Sequence, residues 1–276
     1  ALANAGTLAA GLQQAFRGDA MSKPMHGGHA AETGITCALS AKAGVTGVQD
    51  MLEGERGFGK AMCDDPDWTD VASGLGTEFT ISKTTTKNHA ACGHAHAAID
   101  AALHLQSEHG FKPEDIERVD AGTYGPAVEI VGAQEITTAF EAKFSLPYCV
   151  AAILITGSCR TAAFDPALLA DEDIAALARR VFVSKDTACD DAFPKQRSAT
   201  VIIQLKNGET LVQHAPTRKG DPDAPLSDIE LSEKYRELAT PVIGEAHTRQ
   251  LEERIWATET LTNVQELYPT LSAAAE

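Results

Sequence analysis

The chain has 276 residues, with 23 Lys and Arg against 39 Asp and Glu for a net charge of −16, and 43% of its residues are hydrophobic. This balance argues against nucleic acid or an anionic membrane as a general partner, and it leaves enough apolar surface for one or two soluble domains. An anionic ligand would have to be met by cations concentrated locally, which makes individual lysines and arginines worth following.

The cysteines at 37, 63, 92, 149, 159 and 189 form no CxxC pair, so a reduced, cytoplasmic setting is expected rather than a disulfide framework. The longest apolar run, Tyr148 to Thr156, suits a buried helix core and is too short to span a bilayer. The first residues lack a signal-peptide pattern. Residues 1–16 read instead as the middle of a packed helix with no cap ahead of it, so preceding sequence is expected to be missing.

A turn at Arg17-Gly18-Asp19 leads to Ser22-Lys23-Pro24-Met25-His26-Gly27-Gly28-His29, read as a loop. A helix is expected from about Ala30 to Lys42, with Ala31, Ile35, Ala38 and Leu39 on one face and a stop at Gly44. Short helical pieces follow over 48–53, 57–63 and 68–75. Residues 78–86 are rich in β-branched side chains and predict an edge strand. A helix then runs to near Gly110, with Ala95, Ile99, Ala102 and Leu105 as its core stripe. A strand is expected at 116–123. Helices are expected over 137–157, broken at Ser145-Leu146-Pro147, and over 172–178, leading into 180–184. The clearest hairpin joins 199–205 to 209–214 through Lys206-Asn207-Gly208. Helices return at 228–238, 247–258 and 261–267. The predicted fold class is α+β: an all-helical domain built from both chain ends (1–77 and 226–276), with a smaller α+β domain inserted at 78–225.

The chemistry gathers in four places. Lys87 to Leu103 holds His89, Cys92, His94 and His96 at the mouth of a helix, and imidazoles are the side chains best placed for proton transfer near neutral pH. Asp100, one turn after His96, is positioned to orient that ring. Zinc binding is an open alternative because all four residues are competent ligands, although their spacing matches no familiar zinc pattern. Helix capping or backbone bonding by single imidazoles is another.

The Lys23–His29 segment is the second place. Gly27 and Gly28 permit close approach, the helix expected to follow offers free N–H groups, and Lys23 adds a charge, together suiting a carboxylate or phosphate. A plain helix-entry loop is the competing reading. Third, Ser145 or Leu146 caps a helix with Pro147 in its first turn, which places the Tyr148 hydroxyl either in a cleft or in the core. Last come Arg197 and the turn Arg218-Lys219-Gly220-Asp221-Pro222, whose cations either bind an anion or are solvated. No P-loop, GxGxxG turn or GxSxG elbow is present.

Three stretches together resemble the MmgE/PrpD family: Ser22-Lys23-Pro24-Met25-His26-x-Gly28-x-Ala30-Ala31 with Gly34; Lys87 with Cys92-Gly93-His94-Ala95-His96-Ala97-Ala98-Ile99-Asp100; and Ala142-Lys143-Phe144-Ser145-Leu146-Pro147-Tyr148. Leu52-Glu53-Gly54 with Gly57-Phe58, and Lys219-Gly220-Asp221-Pro222 with Pro225-Leu226, match in the same order. That family includes 2-methylcitrate dehydratase, cis-aconitate decarboxylase and iminodisuccinate epimerase. The resemblance implies a helical domain carrying an α+β lid, an active site between them, a homodimer, and catalysis without metal or other cofactor. It also implies that Lys23, His96 or His94, and Tyr148 are active-site residues, with His26 and His29 as weaker carry-overs. Family members carry an N-terminal helical region with an active-site Asp and His that this sequence does not contain, so the chain is expected to supply part of the catalytic set.

Residues and resemblance together predict acid–base chemistry on a small di- or tricarboxylate. Lys23, His26, Gly28, His29, Tyr148 and Arg197 would bind the substrate, and His96 or His94 would move the proton. A 2-methylcitrate-dehydratase-like hydro-lyase is the first expectation. An iminodisuccinate-type epimerase or a cis-aconitate-type decarboxylase is the alternative, and a metal-binding module or an inactive scaffold are readings of other classes.

Overall fold

The computed structural model describes residues 1–16 and 22–267, apart from the side chains of Gln13 and Phe16. The turn expected at Arg17-Gly18-Asp19 lies outside the described residues. The chain divides into two compact units, Ala1–Phe79 and Thr80–Glu276, and together they carry both helix and sheet.

The first unit holds helices α1 (Leu2–Thr7), α2 (Ser22–Lys42) and α3 (Phe58–Met62), with turns elsewhere. The helix expected over 1–16 is interrupted: Gly11 takes φ 132°, a value closed to other residues, and only a short 3₁₀ turn follows at Gln13–Phe16. The segments 48–53 and 68–75 form turns instead of helices. The larger correction concerns α2, which begins at Ser22, not Ala30. Pro24 fits its first turn, where a missing N–H costs nothing. Gly27 and Gly28 are carried inside the helix, at a propensity cost of about 1 kcal/mol each.

The second unit is built on a four-stranded sheet in the order β2-β1-β3-β4. The strands are β1 (Ile116–Thr123), β2 (Val181–Lys185), β3 (Ala199–Leu205) and β4 (Thr210–Ala215). β1 runs parallel to β2 and antiparallel to β3, and β3 and β4 form the expected hairpin. The helices are α4 (His96–His109), α5 (Gly125–Val131), α6 (Ala139–Lys143), α7 (Leu146–Thr156), α8 (Pro166–Leu169), α9 (Glu172–Ala178), α10 (Thr187–Ala192) and α11 (Asp228–Trp256). α5, α8 and α10 were not foreseen.

Strand periodicity sets the core. Ala199, Val201, Ile203 and Leu205 alternate inward along β3, and Val119 and Ala121 do so on β1. α4 packs on this side of the hairpin and against α7. Its predicted stripe of Ala95, Ile99, Ala102 and Leu105 is entirely buried, and the alanines let the helices approach closely. Burying Ile99 and Leu105 contributes on the order of 2 kcal/mol each. α7 is buried along Leu146 to Leu154, as a helix apolar all round should be. It starts where the sequence placed it: the Ser145 hydroxyl accepts from Tyr148 N (3.2 Å) and donates to Ala133 O (2.6 Å).

The strand expected at 78–86 does not form: Thr80–Lys83 make a 3₁₀ turn, and among the described residues the sheet consists of β1 to β4. β-Branched composition describes a side-chain preference, and without a partner ladder it does not make a strand. α11 joins the two helices expected at 228–238 and 247–258, with a break at Gly244 (φ 74°, ψ 161°) just after Pro241. At 261–267 only a 3₁₀ turn forms, over Val264–Leu267.

Candidate functional site

Residues 84–95 have no regular structure, yet their backbone is fixed by several parts of the second unit. Thr86 N donates to Gly220 O (2.8 Å), Ala90 N to Cys159 O (2.9 Å) and Cys92 N to Lys143 O (2.8 Å). Lys234 of α11 donates to Lys87 O at 2.6 Å. The histidines are thus held on a rigid approach to α4. At Gly220 the chain passes so close that a Cβ would lie 1.8 Å from Thr86 O, and φ is 97°, so only glycine fits there.

The three imidazoles have separate partners. His94 shares a 2.7 Å hydrogen bond between Nδ1 and the Tyr124 hydroxyl. Burial lowers the His94 pKa, and the nearby Arg197, Arg218 and Lys87 lower it further. Burial pushes the Tyr124 phenol up to about 12, and its ring stacks on Phe193 at 4.5 Å. Near neutral pH the pair is therefore a neutral imidazole bonded to a protonated phenol. When the phenol donates, the ring proton sits on Nε2.

His96 is fully buried. Its Nε2–H donates to Ala91 O at 3.3 Å, which leaves Nδ1 buried without a partner. Burial, with His89 beside it, lowers its pKa to about 4. The expected pairing of His96 with Asp100 does not form. The chain folds back ahead of α4, His89 packs edge-on against His96 at 5.2 Å, and it is His89 Nε2 that meets Asp100 Oδ1 at 2.9 Å. Among the described residues, no three His, Cys, Asp or Glu side chains converge as metal ligands would.

Beside His94, a groove of about 710 Å³ is lined by Thr85, Lys87, Lys195, Arg197, Arg218 and Asp221, among others. Arg218 is largely committed: Nε and Nη2 donate to Asp221 (2.9 and 2.6 Å), and Nη1 reaches Gly93 O (3.4 Å). Partial burial pushes the Asp221 pKa up, but Arg218 and the Thr85 hydroxyl outweigh it and hold the carboxyl at about 2. Among the described residues, exposed Lys195 and Arg197 make no comparable bonds, and Lys87 donates to Ala91 O at 3.2 Å. In a chain of net charge −16 this is a local concentration of cations open to an anion. A larger groove of about 850 Å³ along α11, lined by Arg236, Glu252 and Trp256 among others, holds none of the residues singled out by sequence.

Tyr148 is elsewhere in the core. Its hydroxyl donates to Ala163 O at 2.6 Å and is not free to reach a cleft, and burial pushes its pKa up to about 12. Lys23, His26, Gly28 and His29 lie along α2 in the first unit, with Lys23 and His26 half-buried and Gly28 and His29 exposed. The amides of Gly28 and Ala30, deep within the helix, belong to its own hydrogen-bond ladder, so the expected anion-binding helix end is not there. Within the second unit the structure gathers His94, Arg197 and Arg218, and adds Tyr124, which the sequence reading missed. Its signal was Thr123-Tyr124-Gly125-Pro126, an aromatic residue at the turn that closes a strand.

A cationic groove thus lies beside a neutral histidine–tyrosine pair, an arrangement whose charges suit an anionic ligand. Two family models match: the MmgE/PrpD C-terminal domain over residues 89–258, and the MmgE/PrpD N-terminal domain over residues 1–71. The chain belongs to the MmgE/PrpD family. It is 26% identical to a cis-aconitate decarboxylase-like protein (oryM) of Aspergillus oryzae, over 96% of this chain and 58% of that protein. It is 25% identical to a cis-aconitate decarboxylase of Aspergillus terreus, over 99% of this chain and 59% of the relative. With human cis-aconitate decarboxylase the identity is 26%, over 81% of this chain and 47% of the relative. The chain thus spans less than two thirds of the length of the relatives it matches.

Proposed function

We propose that the chain is part of a lyase that acts on a small di- or tricarboxylate by acid–base chemistry, with His94 moving the proton and Arg197, Lys87 and Lys195 holding carboxylates. The observation that carries this reading is a His94 kept neutral by burial and flanked by cations. A neutral imidazole can accept a proton at neutral pH, and the same cations stabilise negative charge developing on the substrate. In decarboxylation, the bond to a departing carboxylate breaks, carbon dioxide leaves, and the electron pair left on carbon takes up a proton. In dehydration, a proton leaves the carbon next to a carboxylate and hydroxide departs with a proton supplied to it.

The names of the relatives favour decarboxylation of a cis-aconitate-like substrate. Dehydration of a 2-methylcitrate-like substrate and epimerisation of an iminodisuccinate-like one begin instead with removal of a proton from carbon, which a neutral imidazole can accept. Roles for Lys23, His26, Gly28, His29, His96 and Tyr148 rest on the family motifs. So do a homodimer, action without a cofactor, and a lid domain at 78–225 carried by a helical domain from both chain ends. The cytoplasmic setting rests on cysteine usage; all six cysteines are free, and no helix among the described residues is long and apolar enough to cross a membrane.

The test has two parts. The chain is incubated in deuterated water with cis-aconitate, citrate, 2-methylcitrate and iminodisuccinate, and NMR follows carbon dioxide loss, water loss or deuterium exchange. In parallel, calorimetry measures the affinity for propane-1,2,3-tricarboxylate. Arg197→Ala should weaken that affinity about tenfold, as loss of one charge-assisted contact does. No turnover of any substrate, together with no tricarboxylate binding, would sink the proposal.

A further inference from the structure

We propose that Asp100 is a positioning residue, whose two oxygens tie the histidine segment to the arginine-bearing turn and so hold both walls of the cationic groove in register. Oδ1 takes the Nε2–H of His89 at 2.9 Å, and Oδ2 takes the backbone N–H of Lys219 at 2.8 Å. The first partner belongs to the segment that supplies Lys87 and His94, and the second adjoins Arg218. Asp100 is held on the first turns of α4, among Ile99, Ala101 and Ala102, which are all buried, so the carboxylate is fixed on a rigid element.

Neighbouring contacts join the same two segments. Thr86 N donates to Gly220 O, Thr85 Oγ1 donates to Asp221 Oδ1 at 2.7 Å, and Arg218 reaches Gly93 O. Asp100 differs in also fixing an imidazole. A carboxylate on Nε2 requires a proton on that nitrogen and so fixes which ring atom faces α4. His89 in turn packs edge-on against His96, so one carboxylate sets the order of two rings and one turn. An asparagine at this position puts an NH2 donor where one of the two oxygens stands, facing either His89 or the Lys219 amide with a donor instead of an acceptor.

This inference rests on the proposed carboxylate site for its role, while its NMR readouts are independent of that site. The ¹⁵N-labelled chain is examined by long-range ¹H–¹⁵N correlation of the imidazoles and by the amide shift of Lys219. The wild type should show His89 with a proton on Nε2 and a downfield Lys219 amide. D100N should shift both signals and weaken propane-1,2,3-tricarboxylate binding at least threefold. A wild-type His89 with no proton on Nε2, or a D100N spectrum with His89 and Lys219 both unmoved, overturns the proposal. If D100N does not fold, the wild-type Nε2 proton decides alone. If the His89 and Lys219 signals respond but the wild type binds no tricarboxylate, the bridge stands and the carboxylate-lyase reading fails.

Discussion

The two units of this chain bury their apolar residues very differently. Among the described residues of Ala1–Phe79, only Cys37, Gly57 and Gly59 are buried, while Met25, Ile35, Leu39, Val71 and Leu75 are each more than half exposed. The second unit encloses α7 almost completely and packs α4 against it and the hairpin. Both stretches are helix-rich and alanine-rich, so composition does not separate them. What separates them is the sheet: β3 and β4 give α4 an apolar floor and β2 packs against α7, while among the described residues α2 has no comparable surface within its own unit. A helix gains most of its stability from the face it buries, and α2 buries little.

This contrast can be broken by mutation. The largest expected effect is Ile99→Ala, which should cost about 2–5 kcal/mol by opening a cavity under α4, against roughly 0.5 kcal/mol or less for Ile35→Ala on α2. Urea unfolding of the two variants gives the comparison directly, and equal losses would show that the first unit buries Ile35 in solution.

The next effect is acid sensitivity confined to the second unit. The His96 pKa is lowered to about 4, below its unfolded value of about 6.5. Between those values the unfolded chain binds the extra proton, so stability is full above pH 6.5 and falls as the pH drops towards 4. The loss is on the order of 3 kcal/mol. His96→Phe should flatten this slope in pH-dependent urea melts, and an unchanged slope would show that His96 is not the group responsible.

The smallest effect belongs to Tyr124→Phe, which removes one hydrogen bond and should cost about 1 kcal/mol. Its sharper readout is the His94 titration followed by NMR, which should move, whereas the histidines of α2 should not.

The features that depend on local sequence were legible. The α4 stripe, the Ser145 cap and the 199–215 hairpin each follow from residues within a turn or two of one another. The MmgE/PrpD motifs were legible for the same reason. Features that depend on a distant partner were not. Helical spacing gave Asp100 to His96, because i,i+4 is the only geometry a sequence displays; the tight return of the chain gave it to His89, 11 residues away. Tyr124 reaches His94 across 30 residues, with no periodicity to announce it. The 78–86 segment had strand composition but no neighbouring strand. Gly27 and Gly28 read as a loop because glycine is a poor helix former, although a long helix can carry two of them. Arg197 was legible as a basic loop residue, and its proximity to His94 was not.

The open cations of the groove have a kinetic consequence. An approaching polyanion feels repulsion from the chain's overall charge of −16 and attraction from Lys87, Lys195 and Arg197 only at short range. At physiological ionic strength the screening length is about 8 Å, so the distant acidic surface is muted while charges within the groove still act. At low salt the repulsion reaches further out. Capture of a small polyanion should therefore be slowest in dilute buffer and should quicken as salt rises, before falling again once the groove itself is screened. A passing cation meets the reverse order, so salt acts here as a filter on which ions arrive.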